Sequence, residues 1–180
     1  SMRHLLILLF FPVLGFSQTC WECIIASKNY ESQTALDICS KVQAPTKEER
    51  EIINFVMGKL VMENQEFTRA IYHLEKSLSS QDTLLLALVN GLIGDCHLEM
   101  KEYENALKSY KTATYFSNHT NFEVYYLTKQ GFCQSLLNNI EEHKKISALL
   151  RVKDRYSSSP FSYRHRENCE EYDSISYLSS

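Results

Sequence analysis

Glycine and proline are scarce in this sequence, which contains five glycines and three prolines among 180 residues. Because these residues break helices and form tight turns, their scarcity disfavours a turn-rich β fold and favours long helices. An excess of basic charge is also lacking. The formal net charge is -3 and the basic residues form no stripe, which argues against nucleic acid as a partner.

The sequence also lacks the motifs that usually mark a reaction centre. It contains no glycine-rich phosphate loop and no Gly-x-Ser-x-Gly nucleophile motif. Its histidines are scattered, with no carboxylate at a catalytic spacing. We therefore predict that the chain is not an enzyme and needs no cofactor.

One long apolar run is present, from Leu5 to Leu14, with Arg3 before it and small residues after it. This is the pattern of a secretory signal peptide, and the run is too short to span a bilayer stably. We predict a signal peptide at residues 1–17 and a mature protein that is exported, either periplasmic or secreted, without a stable membrane span. The alternative is that the apolar run forms a buried first helix.

Internal repetition is the main positive feature of the chain. The segments Phe67–Ala70 and Tyr103–Ala106 are similar, and Tyr30–Gln33 is a fainter copy. The aromatic residues that open them lie 37 (30 to 67) and 36 (67 to 103) residues apart, and a further step of 37 reaches Ile140. A fixed period of this size indicates stacked repeats.

Each repeat has the apolar spacing of two consecutive helices, with apolar residues three and four positions apart. Thr46 and Glu49 have the form of a capping box, and Asp82 or Thr83 can cap a later helix. We predict four helical hairpins, at about residues 20–45, 46–82, 84–118 and 121–152.

Two sets of residues link this pattern to a known family: Gly58, Phe67, Ala70 and Leu74, and then Gly94, Tyr103, Ala106, Tyr110 and Ala113. The pattern resembles tetratricopeptide (TPR) repeats. The resemblance implies an all-α fold, an α-solenoid of antiparallel helix hairpins (a TPR-like superhelix), over residues 18–156. The tail, residues 157–180, is expected to be mobile or loosely docked.

Two of the hairpins depart from the family pattern. The last keeps Gly131 but has His143 where the family has alanine, so its helix pair is expected to be splayed or shifted. In the first hairpin, Gln33 stands in place of the alanine if Tyr30 is matched to Tyr103.

The resemblance also implies a concave groove, lined by the first helix of each hairpin, that binds a protein or peptide partner. Phe55, Tyr125 and Phe132 are the expected anchors because aromatic residues dominate interface hot spots. The alternative is that about half of the lining packs between helices. The predicted lining is Ile52, Phe55, Lys59, Met62, Glu63, Leu88, Asp95, Leu98, Glu99, Tyr125, Thr128, Phe132 and Ser135.

The cysteines raise a second hypothesis. Cys20 and Cys23 have the spacing of a redox pair or of half a zinc site, although no second closely spaced Cys or His pair completes a metal site. The simpler interpretation is structural, with one of the two bridged to Cys39. Cys96 and Cys133 share a repeat position, which Cys23 would also occupy, and are expected to be buried free thiols. A disulfide between Cys96 and Cys133 is the alternative.

These patterns favour a non-catalytic scaffold or adaptor for a protein partner. Two alternatives stay open at this point. One is a thiol-redox or metal-binding accessory protein that uses Cys20 and Cys23. The other is the sensory input part of a signalling assembly.

Overall fold

The computed structural model describes residues 18–44 and 46–156. These residues form eight α-helices and no strand, which confirms the all-α class. The predicted signal peptide and the tail from residue 157 onward lie outside the described residues. The helices are α1 (Gln18–Asn29), α2 (Ser32–Ser40), α3 (Lys47–Glu63), α4 (Phe67–Glu75), α5 (Thr83–Glu99), α6 (Tyr103–Phe116), α7 (Asn121–Leu136) and α8 (Ile140–Tyr156).

The chain divides into two compact units, unit 1 up to Ser79 and unit 2 from Ser80. In unit 1, α1 packs on α2 and α3 packs on α4, and α3 also contacts α1 and α2. In unit 2, the hairpins are α5 with α6 and α7 with α8, and α6 packs on α7. Each unit therefore contains two helical hairpins in contact.

Two helix starts have the caps that the sequence predicts. The amide of Glu49 donates to Thr46 Oγ1 at 3.1 Å, and the amide of Thr46 donates to Glu49 Oε2 at 3.4 Å. At the start of α5, the Asp82 carboxylate accepts from the amides of Leu84 and Leu85. These bonds satisfy amide groups that the first helical turn leaves without a partner.

Three turns have the same backbone conformation at the same repeat position. Gln65, Lys101 and Asn138 have φ angles of 62°, 61° and 58°. After each one, the next amide donates to the carbonyl five residues earlier, as in Glu102 to His97 at 2.8 Å. This bond and the left-handed residue before it form a Schellman motif, which ends a helix and is usually made with glycine.

Glycine at one of these turns is expected to stabilise the protein. Lys101 is exposed, so replacing it removes little packing, whereas its Cβ is strained in the left-handed conformation. We expect Lys101→Gly to raise the free energy of unfolding by about 0.5–1 kcal/mol, measured by denaturant titration. Lys101→Ala, which keeps the Cβ, should bring no gain. Equal stability of the two variants would show that the turn is not strained.

The two central hairpins are each closed by a glycine that faces a large side chain 16 residues later. A Cβ added at Gly58 would lie 2.6 Å from Cγ of Leu74, and one added at Gly94 would lie 2.7 Å from Cε1 of Tyr110. Both facing side chains are fully buried. Since real Cβ atoms do not approach so closely, these positions require glycine.

The first hairpin uses a disulfide at the same position. Cys23 and Cys39 are 16 residues apart and bonded, with a Cα–Cα distance of 4.6 Å. The counterpart of the family alanine is Ala35, which is fully buried, and not Gln33, which is exposed. The predicted match of Tyr30 to Tyr103 was therefore two residues out, because the step from the first hairpin to the second is 35 residues (Ala35 to Ala70) and not 37.

The corrected match also changes the position assigned to Cys23. Leu60, Cys96 and Cys133 share a core position and are at most 2% exposed. Their counterpart in the first hairpin is Ile25, which is 45% exposed. The expectation that Cys23 fills this position was wrong.

The last hairpin is more loosely closed than the central two. A Cβ added at Gly131 would lie 3.3 Å from Ile146, and the ring of His143 donates from Nδ1 to the carbonyl of Gly131 at 2.9 Å. Ile146 and the imidazole of His143 thus make the contacts at this glycine, and the splaying of the helix pair stays a prediction.

Candidate functional site

The predicted lining of the first helices divides into buried and accessible residues. Phe55 is fully buried, and Ile52 and Leu88 are at most 7% exposed. Phe55 was therefore wrongly predicted as an anchor, because its fully buried side chain offers no surface to a partner. Lys59 and Met62 are half-buried.

In unit 2 the predicted residues of α5 and α7 come together. Lys129 Nζ lies 3.2 Å from Asp95 Oδ1, which brings one stripe of α5 beside one stripe of α7. Residues three and four positions from Asp95 on α5, and from Lys129 on α7, lie on the same two stripes. We call the residues of both stripes the α5/α7 surface: Asp95, Leu98, Glu99, Tyr125, Thr128, Lys129, Phe132 and Leu136.

A polar network fixes the centre of the α5/α7 surface. The Tyr110 hydroxyl donates to Asp95 Oδ1 at 2.6 Å, and Lys129 contacts the same oxygen. Lys129 Nζ also lies 5.4 Å from the centre of the Tyr125 ring, within the range of a cation–π interaction. Through these contacts α6 orients a carboxylate of α5 and a lysine of α7.

The electrostatics of this network keep Tyr110 neutral and Lys129 charged. Burial raises the pKa of Tyr110, and the neighbouring Asp95 carboxylate raises it further. For Lys129, burial lowers the pKa, but attraction to Asp95 and contact with Tyr125 outweigh that effect and raise it. The network thus supplies a neutral tyrosine hydroxyl and a charged lysine near neutral pH.

An apolar strip lies along the outer side of the α5/α7 surface. Phe132 is 50% exposed and Leu136, one helical turn later, is 41% exposed. Thr128 and Glu99 are exposed, whereas Leu98 and Tyr125 are half-buried. Sequence reasoning missed Lys129 and Leu136, although Leu136 follows Phe132 by the four residues that place two side chains on one helical face.

The cysteines do not form the redox pair that the spacing of Cys20 and Cys23 suggested. Cys23 is bonded to Cys39 and both are almost fully buried. Cys20 remains a buried thiol, and burial and then the nearby Glu49 raise its pKa to about 12. Cys96 and Cys133 are buried free thiols, as predicted.

These thiols are expected to be inert in the folded protein. Burial raises the pKa of Cys96 to about 12 and that of Cys133 to about 11. A thiol with a pKa of 12 is about one part in ten thousand thiolate at pH 8, and the thiolate is the reactive form. Cys169 lies outside the described residues, and the substitution Cys169→Ser removes its thiol from the experiment. In this protein, an aromatic disulfide reagent should label no thiol in the native state. In denaturant it should label three.

The number of thiols labelled in the native protein is the critical observation. Rapid labelling of Cys20 without unfolding would contradict the buried position and return attention to the redox hypothesis. Circular dichroism recorded before and after the reaction checks that the fold is retained.

One histidine has a carboxylate partner that the sequence analysis did not identify. His97 Nδ1 lies 2.6 Å from Glu102 Oε2, across the turn between α5 and α6. At the same repeat position, the side-chain amide of Asn139 donates from Nδ2 to Gln134 Oε1 at 2.9 Å. Since a pair without catalytic chemistry bridges the later turn in the same way, the His97–Glu102 pair is best explained as a turn-stabilising contact.

Residues 18–44 and 46–156 hold no group of three His, Cys, Asp or Glu side chains arranged to bind a metal ion. No helix within the same ranges is long and apolar enough to cross a membrane.

Comparison with known proteins assigns no family to the chain. No protein-family model matches the sequence, and no curated protein is significantly similar to it.

Proposed function

We propose that this chain is an exported, non-catalytic scaffold or adaptor that binds a protein or peptide partner on the first helices of a TPR-like array. The α5/α7 surface of unit 2 is the binding site in this proposal. The observation that carries it is a half-exposed aromatic residue, Phe132, beside a polar network that other helices hold in place.

The two parts of the α5/α7 surface suit different parts of a peptide. Phe132 and Leu136 offer apolar area to a side chain, and a buried aromatic anchor is the usual source of affinity in such interfaces. Both contacts of Asp95 use Oδ1, so Oδ2 can accept a hydrogen bond from a backbone amide. Glu99 adds an exposed negative charge, which favours a basic residue on the partner.

The polar groups of the α5/α7 surface are preorganised, which supports a role in partner binding and not only in helix packing. The Tyr110 ring is fully buried and holds Asp95 in one orientation, and Asp95 in turn holds Lys129. A site whose polar groups are already ordered loses less conformational entropy when a partner binds. The partner therefore meets a surface that is rigid at its centre.

Partner capture with a matched pair of variants tests the proposal. Protein comprising residues 18–180 is used to capture partners from the exported fraction of the native cells, alongside Phe132→Asp and Tyr115→Asp. Tyr115 is a 77%-exposed aromatic residue on α6, outside the α5/α7 surface. We expect Phe132→Asp to weaken capture at least tenfold, because it places a charge in the apolar contact, and Tyr115→Asp to have no effect.

Each outcome has a direct meaning, provided that circular dichroism shows both variants folded. Equal capture by parent and Phe132→Asp would reject the α5/α7 surface as the site. Capture by none of the three proteins would reject the adaptor function. The redox alternative has less support, because Cys23 is held in a buried disulfide with Cys39 and Cys20 has a raised pKa.

A further inference from the structure

The stripe of α7 that carries Phe132 has no covering helix in the described part of unit 2, although its counterpart on α5 has one. On α5, Tyr126 of α7 lies against Gly91, and Lys129 of α7 contacts Asp95. The repeat step of 37 residues, from Gly94 to Gly131, places Phe132 at the position of Asp95. The same repeat position thus carries a charged residue on α5, where α7 covers it, and an aromatic residue on α7, where no described helix covers it.

This arrangement is the reverse of what a helix face in contact with solvent requires. Units of helical repeat arrays whose outer face meets solvent usually present polar residues there, which keeps them soluble. Here Phe132 and Leu136 are about half exposed instead. The apolar strip therefore needs a cover, and the identity of that cover is the question.

The chain that follows α8 starts close enough to reach the strip. Lys153 Nζ lies 2.8 Å from Glu123 Oε1, so the end of α8 lies beside the start of α7. Phe132 lies nine residues along α7 from Glu123, and Tyr156 lies three residues beyond Lys153 on α8. At 1.5 Å per helical residue, the distance from Tyr156 back to the level of Phe132 is about 18 Å. Five to seven residues of extended chain cover roughly 17–23 Å, and Phe161 and Tyr163 follow Tyr156 by five and seven residues.

The chemistry of that segment also fits the α5/α7 surface. Phe161 and Tyr163 supply aromatic area for Phe132 and Leu136, and Arg164 and Arg166 follow them directly. Glu99, one helical turn after Asp95, is exposed at the level of the strip. The order of side chains in this segment, two aromatic residues followed by two arginines, therefore suits an apolar strip with a negative charge beside it.

We propose that the segment from Phe161 to Arg166 docks on the apolar strip of α7, Phe132 and Leu136. If the α5/α7 surface is also the partner site proposed above, the docked segment competes with the partner and the protein is autoinhibited. The docking is independent of that function, whereas the autoinhibition rests on it.

Site-specific photo-crosslinking tests the docking without any partner. Phe132 is replaced by the photoreactive amino acid p-benzoylphenylalanine in the full chain, which is irradiated at low concentration and analysed by peptide mass spectrometry. We expect intramolecular crosslinks from position 132 to residues 161–166. The same amino acid at Tyr115 should give none, and Phe161→Asp with Tyr163→Asp should abolish the crosslinks from position 132.

The other outcomes would overturn the docking. Crosslinks only between two chains would assign the strip to a second copy of the protein, and crosslinks to no part of residues 161–166 would exclude the segment.

In the partner capture above, Phe161→Asp with Tyr163→Asp should increase capture several-fold. Unchanged capture with intact crosslinking in the parent would reject the autoinhibition alone, and no capture by any protein would reject the proposed function while the docking stands.

Discussion

Replacing Tyr110 with alanine is expected to lower the free energy of unfolding by about 3–5 kcal/mol, the range for truncating a large aromatic side chain in a core. Tyr110 is fully buried, packs against Gly94, and belongs to a core cluster that includes Tyr126 and Cys133. Its removal leaves a cavity among three helices and also takes the hydroxyl donor away from Asp95. Denaturant titration followed by circular dichroism measures the loss.

Two matched variants separate the contributions of the Tyr110 ring and its hydroxyl group. Tyr110→Phe keeps the ring and removes only the hydrogen bond to Asp95, which still has Lys129, so we expect a loss of about 1–2 kcal/mol. Tyr115→Ala truncates an aromatic residue that is 77% exposed and should change stability by less than about 0.5 kcal/mol. A Tyr110→Ala protein as stable as Tyr115→Ala would refute the close packing of α6 against α5.

Loss of the Cys23–Cys39 disulfide is expected to destabilise the first hairpin by about 3 kcal/mol. The bond closes a loop of 16 residues, and a crosslink of this length lowers the entropy of the unfolded chain by about that amount. No glycine–large side chain contact replaces it in this hairpin, because the two cysteines occupy that position. Hydrogen exchange should report the loss as a decrease of about a hundredfold in the protection of α1 and α2 amides.

The experiment compares the oxidised parent, the reduced parent and a Cys23→Ala/Cys39→Ala protein. Reduction and the double substitution should have similar effects on α1 and α2, and the amides of α5 to α8 should keep their protection. Mass spectrometry must show that the reducing agent has opened the bond. If α1 and α2 stay fully protected after that, the disulfide is not what holds this hairpin together.

The corrected match of the first hairpin shows how accurately a repeat pattern in the sequence predicts the positions of residues in the fold. The step of 36 or 37 residues located the helices and turns of the later hairpins, and Ala106 and Tyr110 lie where the pattern placed them. The step between the first two hairpins is 35 residues, two fewer than the spacing of the aromatic residues suggests, so that Ala35 and not Gln33 is the buried counterpart. A shift of two residues between hairpins leaves the apolar spacing within each helix unchanged, so the helical periodicity does not detect it.

The candidate site was predictable in part. The family resemblance selected Asp95, Tyr125 and Phe132, which lie together on the α5/α7 surface. It selected Phe55 on equal grounds, although that ring is fully buried. Lys129 was not identified, because its partner Asp95 is 34 residues away and no local pattern links the two.

The helices, their caps and the period of the hairpins follow from the amino-acid sequence, because each depends on contacts within a few residues along the chain. The capping box of Thr46 and Glu49 and the cap at Asp82 are examples. The exposure of Phe132, the burial of Phe55 and the pairing of Lys129 with Asp95 required the tertiary structure. One apolar stripe on a helix can face either a neighbouring helix or solvent, and only the packing of the surrounding helices determines which.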